Sequence, residues 1–340
     1  MTDLVDTVSW LVDIPSITGA EATLRDAIAE RLGAMPKQTI ADSLVVGTPI
    51  DGAVILAGHL DTVPAQGDSR SRVDAERIHG LGATDMKSGL AVMIHVLEEL
   101  GPGQVAGVFY AGEEGPLPGN QLKPVLDEAS WLRASSAAVV LEPTDRTVEA
   151  GCQGVINADV VFIGEPAHSA RPWLGDNAVT KAAGFLTAMH SLQPEAHVID
   201  GLEFLEVMSV TTAHGGVARN VIPGEFVLNV NYRFAPDRDS DAAVARLHEV
   251  CADADRVEVT DLAPAGSVDL DHPLFRALLD RTGAPLQGKQ GWTDVAQLSM
   301  AGIPAVNFGP GEPALAHKPG ESVRISDLSW VYESLLDVLR

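Results

Sequence analysis

Basic residues are scarce: 23 Lys and Arg stand against 47 Asp and Glu, a formal net charge of −24 in 340 residues. No basic patch is visible that could meet a polyanion, which argues against nucleic acid or an anionic membrane surface as a partner. Cysteine is nearly absent. Cys152 and Cys251 are far apart and in no CxxC spacing, so a disulfide framework or a structural zinc knuckle is excluded and two free thiols are expected. No apolar run approaches the ~18 residues of a membrane span. The opening MTDLVDTVSWLVDI carries Asp where a secretory leader needs Lys or Arg. A cytoplasmic protein is the expectation. Internal repeats and low-complexity linkers are also missing, and the length suits two domains with a packed core each.

What the chain does have is a series of apolar runs that end in acidic or imidazole side chains. VILAGHLD, Val54 to Asp61, reads as a buried parallel strand whose carboxyl end delivers His59 and Asp61 to one face, since residues i and i+2 of an extended chain point the same way. The Asp61 carboxylate can then hold the His59 ring by its other nitrogen. GLGATDMKSG follows, with Asp85 at a loop-to-helix junction before the buried helix LAVMIHVLEEL; as a residue type, Asp85 there fits a helix N-cap as well as a ligand. Gln104 to Ala111 is a second apolar strand, ending in Glu113 and Glu114. Ala137 to Leu141 is a third, ending in Glu142. Buried strand tips hold adjacent carboxylates only at a cost unless a cation or proton compensates them, although a solvated turn also fits Glu113 and Glu114. Successive β units that end this way point to one shared metal site.

The remaining elements divide the chain. Thr18 to Leu32 has helical spacing with Thr18 as a possible cap. From about Val155 the order becomes strand, helix (Asn177 to Leu192), two alternating strands (Leu205 to His214, Glu225 to Phe234), helix (Asp239 to Asp253) and strand (Arg256 to Thr260). This reads as a small α+β sandwich inserted in a larger α/β domain. The larger domain resumes near Ser267, with helix Pro273 to Gly283, strand IPAVNFG, His317 in the loop beyond it and a last helix, Ser326 to Leu339.

His59, Asp85, Glu114, Glu142 and His317 are too many ligands for one catalytic zinc and suit two metals that share a carboxylate. The blocks GHLDTVP, GLGATDMKSG, GEEG, LEPT, ARNVIP and AHKPGE resemble the co-catalytic di-zinc aminoacylase and carboxypeptidase superfamily, the M20 metallopeptidases, in order and over essentially the whole chain. Thr84 and Ser88 depart from the commoner small residues without removing a ligand. The resemblance implies a zinc-exopeptidase-like catalytic domain (mixed sheet between helices; residues 1–154 and 267–340) and an inserted lid and dimerisation domain (155–266). It also implies two Zn2+ per subunit, with Co2+ and Mn2+ as possible substitutes. His59 and Glu142 would hold one ion and Glu114 and His317 the other. Asp85 would bridge them and precede a cis peptide.

Asp61 would support His59, and Glu113 would act as general base and acid on a metal-bridged water. His168 would reach the partner's active site in a homodimer to stabilise the oxyanion, unless it is a surface loop histidine. Asn220 and Arg233 would bind a substrate carboxylate, a structural salt bridge being the other reading of Arg233. Thr293 and Asn307 would contact the acyl group. The substrate implied is a small N-acyl amino acid. The unit LEPTDRTVEAGCQG and the short chain resemble the actinobacterial desuccinylase branch, which implies hydrolysis of N-succinyl-LL-2,6-diaminopimelate in lysine biosynthesis. Acetylornithine deacetylases, other N-acyl amino acid amidohydrolases and carboxypeptidases share the same ligand set and stay open. A non-catalytic binding protein on this fold would be expected to have lost ligands or base, and all six positions are present.

Overall fold

Four parallel strands position the chemistry of the larger unit. In the computed structural model, which describes residues 2–67, 69–101 and 103–340, Val105–Tyr110, Val54–His59, Ala137–Pro143 and Ala305–Gly309 lie side by side in the middle of an eight-stranded sheet. Their sequences are continuous apolar runs because both faces of the sheet are covered, and nearly every residue in them is buried. Parallel alignment brings the carboxyl ends of all four to one edge, where open α/β sheets place their sites. Lys37–Ile40 and Ser43–Val46 extend the sheet antiparallel on one side. Val148–Ala150 and Leu286–Gly288 complete it on the other. A separate small sheet of Arg72–Val73, Arg77–His79 and Ser322–Arg324 joins the segments before Asp85 and after His317. The architecture is the α/β class with a mixed sheet that the sequence implies.

The helix Lys87–Leu100 is buried from Lys87 to Leu97 and lies close on the sheet because glycine faces it. A Cβ on Gly89 would sit 2.4 Å from the Leu141 carbonyl oxygen, and one on Gly58 would sit 2.6 Å from the Met86 side chain. The N-cap is Met86 and no side chain caps the helix, so the capping alternative for Asp85 does not hold. Thr18 is likewise not a cap. The helix expected from Thr18 begins at Ala22, and the Thr18 hydroxyl donates to Asp61 Oδ2 at 3.0 Å.

By compactness the larger unit takes in residues up to 151, 267–288 and 294–340, and the smaller one 152–266 and 289–293. The smaller unit is a five-stranded antiparallel sheet in the order Glu195–Ile199, Leu202–Gly215, Glu225–Phe234, Gly154–Ile163, Arg256–Ala263. Burial alternates strictly along Glu225–Phe234, as one covered face requires. Val160, Phe162, Leu228, Val230 and Tyr232 form a core with Phe185 and Leu247, which come from the helices Ala183–Ser191 and Ser240–Val250. The helix read over Asn177 to Leu192 is two pieces that meet at Ala182. The strand Glu195–Ile199 escaped the sequence reading. Asp200 and Gly201, with φ of 49° and 81°, turn it into Leu202–Gly215 in the Asp-Gly pattern of a tight hairpin. Burial pushes the Cys251 thiol up to about 11, which leaves it unreactive. Among the described residues no helix is long and apolar enough to cross a membrane.

Gly89→Ala should destabilise the protein by about 1–3 kcal/mol, because main chain rather than a flexible side chain must yield. Gly184, on the helix Ala183–Ser191 with no atom within 4 Å of an added Cβ, is the control: Gly184→Ala should be neutral or stabilising by up to about 1 kcal/mol. Urea unfolding followed by fluorescence and circular dichroism checks both, and equal midpoints for the two variants would contradict the close-packing account.

Candidate active site

His59 closes its strand with the imidazole buried. Its Nδ1 faces Asp61, whose main-chain carbonyl is 2.9 Å away and whose carboxylate is 3.6 Å away. The sequence reading had the carboxylate as hydrogen-bond partner. The strand ends at His59, and the chain turns so that the Asp61 carbonyl takes that place. The Asp61 carboxylate instead accepts the N–H groups of Glu113 (3.1 Å) and Glu114 (3.0 Å) and so ties the GEEG turn to the His59 strand. An Nδ1–H donated to the carbonyl assigns the Nε2 lone pair to the opposite side. There, Asp85 Oδ1 is 3.1 Å and Glu142 Oε1 3.7 Å from Nε2. Burial lowers the His59 pKa, but Asp61, Asp85, Glu142 and Glu113 outweigh it and raise the pKa well above the ordinary imidazole value.

Asp85 lies between two histidines. Its other oxygen, Oδ2, is 3.3 Å from His317 Nε2, which also lies 2.9 Å from Glu114 Oε1. The Asp85–Met86 peptide is cis. Burial pushes the Asp85 pKa upward, and the hydrogen bonds from His317 and His59 overcome this, so its carboxyl sits below the usual range. Hydrogen bonds donated to Asp85 and Glu114 hold the half-exposed His317 at about 10.

The five residues thus form two half-sites, His59 with Glu142 and His317 with Glu114, that share Asp85. Metal bonds of about 2.0–2.2 Å would set tetrahedral ligands about 3.4 Å apart, against donor separations here of 2.9 to 3.7 Å. Among the described residues the ion pairs of Asp85 and Glu114 are all to histidine, with no Lys or Arg to balance the carboxylates. Within this site, His59, Asp85 and Glu114 each offer a donor atom, and the three atoms lie within 4.8 Å of one another. This donor set fits divalent cations.

Glu113 is half-buried beside these candidate ligands. Burial raises its pKa well above the usual carboxylate value, His59 opposes the rise, and Glu142, Asp294 and Glu114 reinforce it. Asp294, which was not singled out from the sequence, precedes the helix Val295–Met300, and its side chain makes no capping hydrogen bond. Fully buried, it accepts from Asn120 Nδ2 with both oxygens at 3.1 Å and from Gln297 at 2.5 Å.

Asn307 is fully buried on the strand Ala305–Gly309, and neither polar atom of its amide has a hydrogen-bond partner among the described residues. The other expected site residues belong to the smaller unit. Thr293 is buried with its hydroxyl likewise unsatisfied. His168 is exposed, its Nδ1 accepting from Ala170 N at 3.1 Å, and its loop pairs with the Asn220–Val221 segment through Ser169 N and Asn220 O at 2.9 Å. Arg233 is half-buried on the strand Glu225–Phe234, and its Nε donates to Asn231 Oδ1 at 3.0 Å.

Fold and donor set together define a metal-dependent hydrolase, with a carboxylate of raised basicity next to the candidate ligands. The chain belongs to peptidase family M20/M25/M40, whose sequence profile matches residues 55–340. It is 38% identical to a Mycobacterium tuberculosis protein provisionally named succinyl-diaminopimelate desuccinylase, over 99% of this chain and 97% of that one. It is 36% identical to the Corynebacterium glutamicum succinyl-diaminopimelate desuccinylase, over 94% and 91%. A Staphylococcus aureus tripeptidase of known structure shares the fold, with a TM-score of 0.80, 22% identity and coverage of 99% and 97%. The protein is a hydrolase that acts on amide bonds of a small-molecule substrate.

The raised pKa of His317 sets a pH dependence. Below about 10 this imidazole is protonated in the metal-free chain, and a cation takes only the neutral ring. Affinity for zinc should therefore rise from pH 6 to pH 9, with at least one proton released per ion that engages His317. Calorimetry in buffers of different ionisation enthalpy reads that release; a pH-independent affinity without proton release would contradict it.

Proposed function

We propose that this protein hydrolyses N-succinyl-LL-2,6-diaminopimelate to succinate and LL-2,6-diaminopimelate, the reaction named for its relatives. The observation that carries the substrate choice is Arg233. Among the described residues it forms no ion pair: its Nε meets only the Asn231 amide, and Asp261 acts on it electrostatically while burial lowers its pKa. A half-buried guanidinium without a bonded carboxylate is disfavoured until an anion takes its fork of donors. A succinyl group ends in such a carboxylate; an acetyl group does not. Asn220 shares this role, and Thr293 and Asn307, with their unsatisfied buried polar atoms, contact the acyl group.

In this reading His59 and Glu142 would hold one zinc ion and Glu114 and His317 a second, with Asp85 shared between them and cobalt or manganese able to take the same donors. Ions held there would supply Lewis acidity toward the amide carbonyl and a lowered pKa for water. Glu113 takes a proton from the water that attacks the carbonyl carbon. It returns that proton to the amide nitrogen as the C–N bond breaks, so succinate and a free amine leave together. The raised basicity of Glu113 suits both transfers. Asp61 fixes the main chain of both glutamates through their N–H groups. The smaller unit serves as lid and dimerisation domain of a cytoplasmic homodimer, and His168 stabilises the oxyanion across that dimer.

The test is a parallel assay of zinc-loaded protein on N-succinyl-LL-2,6-diaminopimelate, N-acetylornithine and N-acetylmethionine. kcat/KM should favour the succinyl substrate by orders of magnitude; preference for an acetylated amino acid would refute the substrate assignment and leave the hydrolase standing. Arg233→Ala should lower kcat/KM for the succinyl substrate about 10- to 100-fold, mainly through KM, as loss of about 1.5–3 kcal/mol of charge-assisted hydrogen bonding implies. Glu113→Gln should reduce kcat by roughly 10²- to 10⁴-fold while zinc stoichiometry is unchanged. If that variant turned over normally, Glu113 would not be the proton carrier.

A further inference from the structure

Glu321 stands four residues beyond His317, where the chain enters the strand Ser322–Arg324, and is only 4% exposed. Both its carboxylate oxygens are used on one short stretch of main chain. Oε2 accepts the N–H of Gly82 at 3.0 Å, and Oε1 accepts those of Thr84 and Asp85, each at 2.9 Å. The Glu321 carbonyl accepts Gly80 N–H at 3.1 Å, and the Ser322 carbonyl accepts the Thr84 hydroxyl at 2.7 Å. The loop before Asp85 therefore closes around a carboxylate, in the way backbone nests close around anions. Gly82 lets it do so: φ is +75°, and a Cβ there would lie 2.7 Å from the Thr62 side chain.

From this geometry we infer that Glu321 is a positioning residue for the metal centre. It holds the main chain of Asp85 against the loop of His317, so that one carboxylate stays between the two imidazoles. The inference rests on the reading of Asp85 and His317 as ligands. A carboxylate is required because it only accepts. An amide in its place turns one of two acceptor ends into a donor facing another donor, leaving a buried N–H unsatisfied. Support one step behind a ligand commonly changes metal affinity or activity by about 10- to 100-fold.

Zinc affinity of Glu321→Gln and Asp85→Asn, measured by competition with a chelator, is the test, together with the visible spectrum of the cobalt-loaded proteins and amide exchange over residues 80–86. Glu321→Gln should bind zinc about 10- to 100-fold more weakly, with an altered cobalt spectrum. It should also show faster exchange at residues 82–85, a lower kcat and a KM close to that of the unaltered enzyme. Unaltered affinity and spectrum in Glu321→Gln, beside weakened binding in Asp85→Asn, would overturn the inference and leave the ligand reading intact. Unaltered binding in Asp85→Asn would instead sink the ligand reading and the inference with it. Should Glu321→Gln fail to fold, exchange in the unaltered metal-free protein decides. Protected amides at Gly82, Thr84 and Asp85 support the role, and rapid exchange there rejects it.

Discussion

The carboxylate of Asp85, held 3.1 Å from one imidazole and 3.3 Å from another, is the contact on which the rest of the catalytic unit depends. His59 and His317 lie 258 positions apart in the chain, and each carries a glutamate, Glu142 or Glu114, on its own side. Gathering three carboxylates at the rim of an apolar sheet is unfavourable in the absence of compensating positive charge. Histidines supply part of that charge in the metal-free chain, which is why their pKa values rise while that of Asp85 falls. Divalent cations would supply it more completely. The same charges that favour a cation thus make protons its competitor.

Holding that arrangement calls for stiffness. The parallel strands deliver His59 and Glu142 from neighbouring positions in the sheet, and the glycine-lined approach of the helix Lys87–Leu100 sets the segment that carries Asp85. Two further carboxylates are spent on main chain rather than on ligands. Asp61 holds the turn of Glu113 and Glu114, and Glu321 holds the loop of Asp85. In a chain with twice as many acidic as basic residues, backbone N–H groups take the part that Lys and Arg play elsewhere, satisfying buried carboxylates without adding a cation that would compete with a metal.

The smaller unit follows a different logic. Its sheet is antiparallel, one face is covered by helices, and the alternation along Glu225–Phe234 leaves Arg233 half-buried. Its guanidinium donates to the Asn231 amide, and among the described residues no carboxylate is bonded to it.

Much of this was legible beforehand for a simple reason. Strands buried on both faces write themselves as apolar runs, so the polar residue that ends each run stands out, as His59, Glu113, Glu114 and Glu142 did. The six sequence blocks then carried the family. Residues whose part depends on partners distant in sequence were not legible. Asp294 did not stand out, Glu321 was the tail of a loop motif and Thr18 resembled a cap, because sequence spacing reports periodicity and not which donor an acidic or hydroxyl group will meet. The strand Glu195–Ile199 was missed because its residues are largely exposed and have no apolar run to announce them. The sequence by itself determined the class of fold, the family and the identities of the candidate ligands, since local patterning and residue chemistry suffice for those. Only the tertiary structure decided that Asp85 stands between two histidines, that the Asp61 carboxylate serves the GEEG turn, and that Glu321 grips the Asp85 loop. Hydrogen bonds between segments from tens to more than two hundred residues apart leave no periodic trace in the chain.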